Sequence, residues 1–235
     1  GYGADIQAAT DVLLVARNDW NEDGSFSRVS VIDISKPNGQ MVEGSDVQAL
    51  GQVKSKFNMD MYGGILRVVS SSTWSGSDTN HIETFDAADL QDLKAVDHKT
   101  FGDGEQLYAT LFLGNKAFFV TYLRVDPFHA FEIGDDGTVT ERSEFIVSGW
   151  NDFFKPAFGT DVLVGIGMND EEGSLLAVSL YDASDLENED PLVERKELGS
   201  DWAWSEARFD DRAFTVLEGA VEADGPDGAT APGLA

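Results

Sequence analysis

Between Leu107 and Val147 the chain alternates short apolar or alternating runs with turn residues at Gly114-Asn115, Asp126-Pro127 and Asp135-Asp136-Gly137. Four such runs joined by tight connections predict the four strands of one antiparallel sheet. A sheet of that size standing alone in water leaves at least one apolar face uncovered, so it needs neighbours like itself. The rest of the chain supplies them.

The turn between the first and second strand of each unit recurs at Ala9-Thr10-Asp11, Gly63-Gly64, Gly114-Asn115-Lys116, Gly159-Thr160-Asp161 and Asp210-Asp211-Arg212, in steps of 54, 51, 45 and 51 residues. A strongly apolar strand follows each turn: VLLVA, ILRVV, AFFVTY, VLVGIG and AFTVL. A second marker lies in the third strand, where an acid sits between apolar residues and a small or apolar pair; these acids are Asp33, Asp86, Glu132 and Asp182. Four strands per period of 45–54 residues predict an all-β fold, a β-propeller segment of four-stranded antiparallel blades. The fourth strands mix charge with Val, Leu or Phe, as outer edges do to block unwanted pairing.

The arithmetic predicts blades at 58–106, 107–152 and 153–201, a first blade at 1–57 lacking part of its first strand, and two strands of a fifth at 202–219. Residues 220–235, rich in Gly, Pro, Asp and Ala, read as a linker or disordered tail. Propellers close their ring, so the segment is expected either to belong to a larger one whose remainder is a partner, or to pair its ends and close a small one.

Composition narrows the partners. There are 43 acidic against 16 basic side chains, a net charge of −27 and a pI near 4.1. Such a surface repels phosphate backbones and anionic membranes, which argues against nucleic acid. The excess either solvates the surface or lets carboxylates converge on divalent cations. The chain has no Cys, so disulfides and thiol chemistry are excluded, and no apolar run is long enough to span a membrane. A start at Gly fits processing or excision from something longer.

Several phrases carry a family resemblance: RVSVIDIS (28–35), GGILRVVSS (63–71), LFLGNKAFFVTYLRVDPFHAFEI (111–133), VLVGIGMNDEEG (162–173), LAVSLYDASD (176–185) and WSEARFDDRAF (204–214). Over nearly all of 11–214 the chain resembles secreted bacterial and archaeal proteins with a C-terminal β-propeller domain distantly related to the WD-repeat propellers. Where that family carries a basic residue before FLG, this chain has Thr110. The resemblance implies a secreted or surface-anchored propeller and brings no catalytic residues with it.

The sharpest local motif is Asp19-Trp20-Asn21-Glu22-Asp23-Gly24, with oxygen ligands at alternate positions before a bend, as in the first half of a calcium loop. The twelfth position is Ser30 and both flanks read as strand, which excludes the helical calcium motif. Asp19, Asn21 and Asp23 on a β-hairpin are therefore the candidate Ca2+ ligands, against the alternative of a solvated turn. The hairpin Asn169-Asp170-Glu171-Glu172-Gly173 lacks the alternate spacing. The four repeated acids are expected to accept backbone hydrogen bonds in the turns that follow them. His81, His98 and His129 form no paired-histidine spacing, no G-x-S-x-G elbow occurs, and Gly165-Ile166-Gly167 lies inside a strand with no helix after it. Trp20 and Trp74 fall in equivalent loops, where aromatics pack or bind a partner or a sugar ring.

The sequence thus predicts a non-catalytic exported binding or scaffold module, extracellular or at the cell surface. Its partner would be a protein or carbohydrate of the cell envelope, and Ca2+ its stabilising ion. The alternatives are an enzyme whose channel site is completed by residues outside this chain, and a structural subunit of a surface assembly.

Overall fold

The computed structural model describes residues 3–22, 24–74, 77–122, 126–147, 150–157, 159, 161–169, 175–199, 203–216, 220–222 and 230–232. They form four antiparallel four-stranded sheets, each in simple up-and-down order. The first holds β1 (Ala4–Ala9), β2 (Val12–Asn21), β3 (Gly24–Asp33) and β4 (Val42–Gln48); the second β5 (Met59–Tyr62), β6 (Ile65–Trp74), β7 (Ser77–Asp86) and β8 (Lys94–Phe101). The third holds β9 (Gln106–Leu113), β10 (Lys116–Tyr122), β11 (Asp126–Ile133) and β12 (Val139–Val147). The fourth holds β13 (Trp150–Ala157), β14 (Val162–Asn169), β15 (Leu175–Asp182) and β16 (Leu192–Leu198). Contacts divide the chain into two compact units, Gly1–Glu144 and Phe145–Ala235.

The repeated turns are tight for a backbone reason. Strands β5 and β6 meet through Gly63 and Gly64 at φ 60 and 80, and β9 and β10 through Gly114 at φ 59 and Asn115. Positive φ at one or both central residues is what a two-residue hairpin matched to strand twist demands, and Gly meets it without strain. In the first blade Asp11 takes φ 65 in the same turn.

Within the first unit the middle sheet shows why one blade cannot stand alone. Leu66 and Val68 of β6 join a core with Leu14, Val29 and Val31 of the first blade, while Val69 joins a second core with Phe119 and Phe131 of the third. Alternate side chains of a strand point to opposite faces, so β6 feeds both neighbours from the apolar residues of its first half. Polar ties reinforce the stacking. Arg67, only 2% exposed, pairs with Asp60 and donates to the Gly114 carbonyl of the third blade. Between the first and second blades, Gln52 and Ser71 bridge at 2.8 and 3.0 Å, and a Cβ on Gly51 would lie 2.4 Å from the Ser71 carbonyl carbon.

The inner strand of the first blade has six residues, paired with β2 from Ala4↔Arg17 to Ala9↔Val12, against eight in β9 and β13. ADIQAA carries only one large apolar residue, so its propensity is weak, and pairing with β2 supplies the order. At the other end the structure departs from the arithmetic. At 202–219 no strand occurs among the described residues up to 216; two 3-10 turns stand there instead, Glu206–Arg208 and Asp211–Ala213. Ser205 Oγ accepts from the Ala207 amide and Asp210 Oδ1 from the Arg212 amide, local bonds that compete with a ladder. Inside the expected tail, β17 (Ala220–Glu222) and β18 (Thr230–Pro232) pair antiparallel.

Candidate functional site

The β2–β3 hairpin is tighter than the sequence suggests. Both strands continue to the turn, with Asn21 opposite Gly24. Asp19 and Asn21 therefore lie on one face of β2, about 7 Å apart along the strand. The Asp19 carboxylate accepts the Trp20 amide at 2.9 Å. Asp23 lies outside the described residues, as do the side chain of Trp74 and residues 170–174. Trp20 is 78% exposed.

The repeated acids divide by one methylene. Asp33, Asp86 and Asp182 each accept the backbone N–H two residues on, from Ser35, Ala88 and Ser184 at 2.8 to 2.9 Å. The Ser35 hydroxyl and amide hold the Asp33 carboxyl down to about 2. Glu132 is too long for that closure and instead accepts from Arg142 Nε at 2.9 Å and Asn115 Nδ2 at 3.3 Å.

Three residues before each acid, the third strand buries a polar side chain: Ser30, Glu83, His129 and Ser179. In the second blade the Glu83 carboxylate accepts the Leu50 amide at 2.9 Å, and burial pushes its pKa up. Opposite it in the ladder stands His98, whose Nε2 lies 3.1 Å from His81 Nδ1. Burial, and then the neighbouring imidazole, push His81 down to about 4. No sequence spacing announces this pair, because only the β7–β8 register brings it together.

The third blade carries the densest chemistry. His129, 1% exposed, sits beside Phe101 with ring centroids 5.2 Å apart. Its Nε2 lies 3.0 Å from Thr121 Oγ1, and that hydroxyl lies 2.6 Å from Glu105 Oε2. Its Nδ1 lies 3.0 Å from Glu141 Oε1. Glu144 completes a group whose ligand atoms, one from each of His129, Glu141 and Glu144, all lie within 4.8 Å of one another. Glu141 and Glu144 also line a cavity of about 490 Å³ with Thr79, Thr100 and Asp103. The arrangement offers one imidazole nitrogen and two carboxylates at the edge of a polar, open hollow.

Sequence reasoning missed Glu105, Glu141 and Glu144. They come from a loop and an edge strand whose glutamates resemble any solvated edge. The available signal was His129 itself, a polar residue in the otherwise apolar run FHAF. Thr110, the departure from the family phrase, accepts from Asn58 Nδ2 at 2.8 Å and so ties β9 to the 3-10 turn before the second blade.

The chain is 32% identical over 185 residues to an uncharacterised protein of Methanocaldococcus jannaschii, a match covering 77% of this chain and 28% of that protein. To an uncharacterised protein of Archaeoglobus fulgidus it is 28% identical over 167 residues, covering 71% and 25%. It thus spans about a quarter of the length of these relatives. Among solved structures it is similar to the beta-propeller domain of the Trilobed protease from Pyrococcus furiosus, which has an open velcro topology, with a TM-score of 0.47, 11% identity and coverage of 85% of this chain and 57% of that one. A functionally unknown protein from Desulfotomaculum acetoxidans matches with a TM-score of 0.44 and 10% identity over 83% of this chain and 70% of that one. The model of the beta propeller domain matches residues 1–220, nearly the whole chain, and with its four four-stranded sheets the chain belongs to the beta propeller domain family.

Proposed function

We propose that this chain is a non-catalytic binding or scaffold segment of an exported propeller, acting at the cell surface on a carbohydrate of the cell envelope. The remainder of the ring is its second partner. The observation that carries the reading is the open hollow beside His129, lined by Thr79, Thr100, Asp103, Glu141 and Glu144, with a volume that holds a few sugar rings. Hydroxyl-rich ligands suit such walls, and amino sugars also suit the acidic field of a chain at −27. Calcium at Asp19, Asn21 and Asp23 braces the first hairpin in this reading.

The test is a screen of neutral and amino oligosaccharides against the purified full chain. Saturable binding that weakens at least about tenfold in Asp103→Asn supports the reading. Absence of binding across the screen overturns the carbohydrate assignment, and turnover of a bound saccharide overturns the non-catalytic one. For calcium, melting is compared in millimolar CaCl2 and in chelator. A hundredfold excess over Kd adds about 2.7 kcal/mol, lost in Asp19→Asn; coincident melting curves remove the ion from the hairpin.

A further inference from the structure

We propose that His129, Glu141 and Glu144 form a binding site for a divalent transition ion of the zinc class, open on its outer side to the adjoining hollow. Thr121 Oγ1 stands 2.6 Å from the Glu105 carboxylate, an acceptor only, so the hydroxyl proton goes to Glu105. The oxygen then accepts from His129, which places the imidazole N–H on Nε2. Nδ1 then faces Glu141 Oε1 3.0 Å away, a contact that needs positive charge between the two atoms, either a proton or an ion.

A metal ion supplies it with suitable geometry. Bonds of ~2.1 Å to nitrogen and oxygen separate two ligand atoms by about 3.0 Å at an octahedral right angle and about 3.4 Å at the tetrahedral angle, so the pair closes on such an ion with little movement. Glu144 lies within reach as the third ligand, and the hollow leaves room for water or an incoming group at the remaining positions. One imidazole with two carboxylates suits borderline ions such as Zn2+, Co2+ or Mn2+ better than Ca2+, which prefers an all-oxygen shell. The Thr121–Glu105 pair behind the ring does what outer partners of metal-bound histidines do: it fixes the tautomer and aims the lone pair. Burial beside Phe101 holds the ring still.

The equivalent place in the fourth blade strengthens the inference. There Ser179 faces Arg195 across the ladder, and the guanidinium Nε donates to Ser179 Oγ at 2.8 Å. At that position the fourth blade supplies its own cation, whereas around His129 stand the carboxylates of Glu105, Glu141 and Glu144.

The site does not depend on the carbohydrate reading, because the ion is measured with no saccharide present. The full chain, freed of metal by chelator, is titrated with CoCl2, followed by visible absorption, and with ZnCl2 by calorimetry. The expected result is about one equivalent bound, with cobalt bands displaced by zinc. Glu144→Gln, at an exposed position, should weaken binding at least about tenfold, and Thr121→Val by roughly 10- to 100-fold through the ring's orientation. His98→Gln, which alters the other histidine pair, should bind as the parent does. No bound equivalent would mean that a proton alone bridges His129 and Glu141, and this overturns the site. Binding unchanged by Glu144→Gln, or abolished by His98→Gln, puts the ion elsewhere and overturns it equally.

Discussion

The third and fourth blades share a backbone plan and differ in what they place at one position. Both bury a polar side chain three residues before the repeated acid, His129 in one and Ser179 in the other. In the fourth blade Arg195 spans Ser179 and Tyr181, and Asn151 donates to the Tyr181 hydroxyl at 2.9 Å, so the polar groups satisfy one another with an internal positive charge. In the third blade the neighbours of the ring are Thr121 and Glu141, with Glu105 and Glu144 beyond them. The repeat makes the position polar; the side chain on the fourth strand decides whether it is a structural knot or a place for a ligand.

The largest expected effect bears directly on that contrast. Zinc at a hundredfold excess over the parent's Kd should raise the unfolding free energy of the parent by about 2.7 kcal/mol, and that of Glu144→Gln, whose site is at least about tenfold weaker, by no more than about 1.4 kcal/mol. Equal stabilisation of both by calorimetric melting would break the comparison. Next in size is Arg195→Met, which leaves the Ser179 hydroxyl without its charged donor; a loss of about 2 kcal/mol in urea unfolding is expected. Glu144→Gln in chelator should stay within about 0.5 kcal/mol, as an exposed substitution does. Comparable losses at the two sites would mean that both are structural.

Smaller still is the closing bond of the third strand. Asp86→Ala should cost about 1 kcal/mol, because it strips one side-chain cap from the Ala88 amide, and Glu132→Ala should cost less, since its partners Arg142 and Asn115 reach solvent. Thermal unfolding of the two variants checks the order.

The last prediction concerns pH. The His81 imidazole is held near 4 against an ordinary value of 6.5, so the unfolded chain takes up a proton before the folded one does. Its contribution to stability is complete above 6.5 and lost as pH falls toward 4. Unfolding midpoints measured across that window should slope downward in the parent and flatten in His81→Gln. A parent curve that rises toward pH 4 would reverse the sign.

Turn chemistry was the most legible part of the fold. Gly63-Gly64 and Gly114-Asn115 announce two-residue hairpins because few residues accept positive φ, and the apolar runs after them mark strands that feed two cores. The cap role of Asp33, Asp86 and Asp182 was legible too, since it depends on a side chain reaching two residues along its own backbone. Glu132 escaped because one added methylene moves the carboxylate past that amide. The 3-10 turns near Glu206 and Asp211 escaped because ambivalent propensities were settled by local caps.

By itself the sequence determined a repeating β architecture, an acidic surface, and the absence of any thiol, because period, turn residues and composition act locally or by simple count. Tertiary structure decided which charges meet. His129, Thr121 and Glu105 are joined across a blade, and Glu141 and Glu144 come from its edge strand, so their convergence depends on strand pairing. Chain spacing carries no trace of that pairing, since ladder register is fixed by the burial of all the other residues in the two strands.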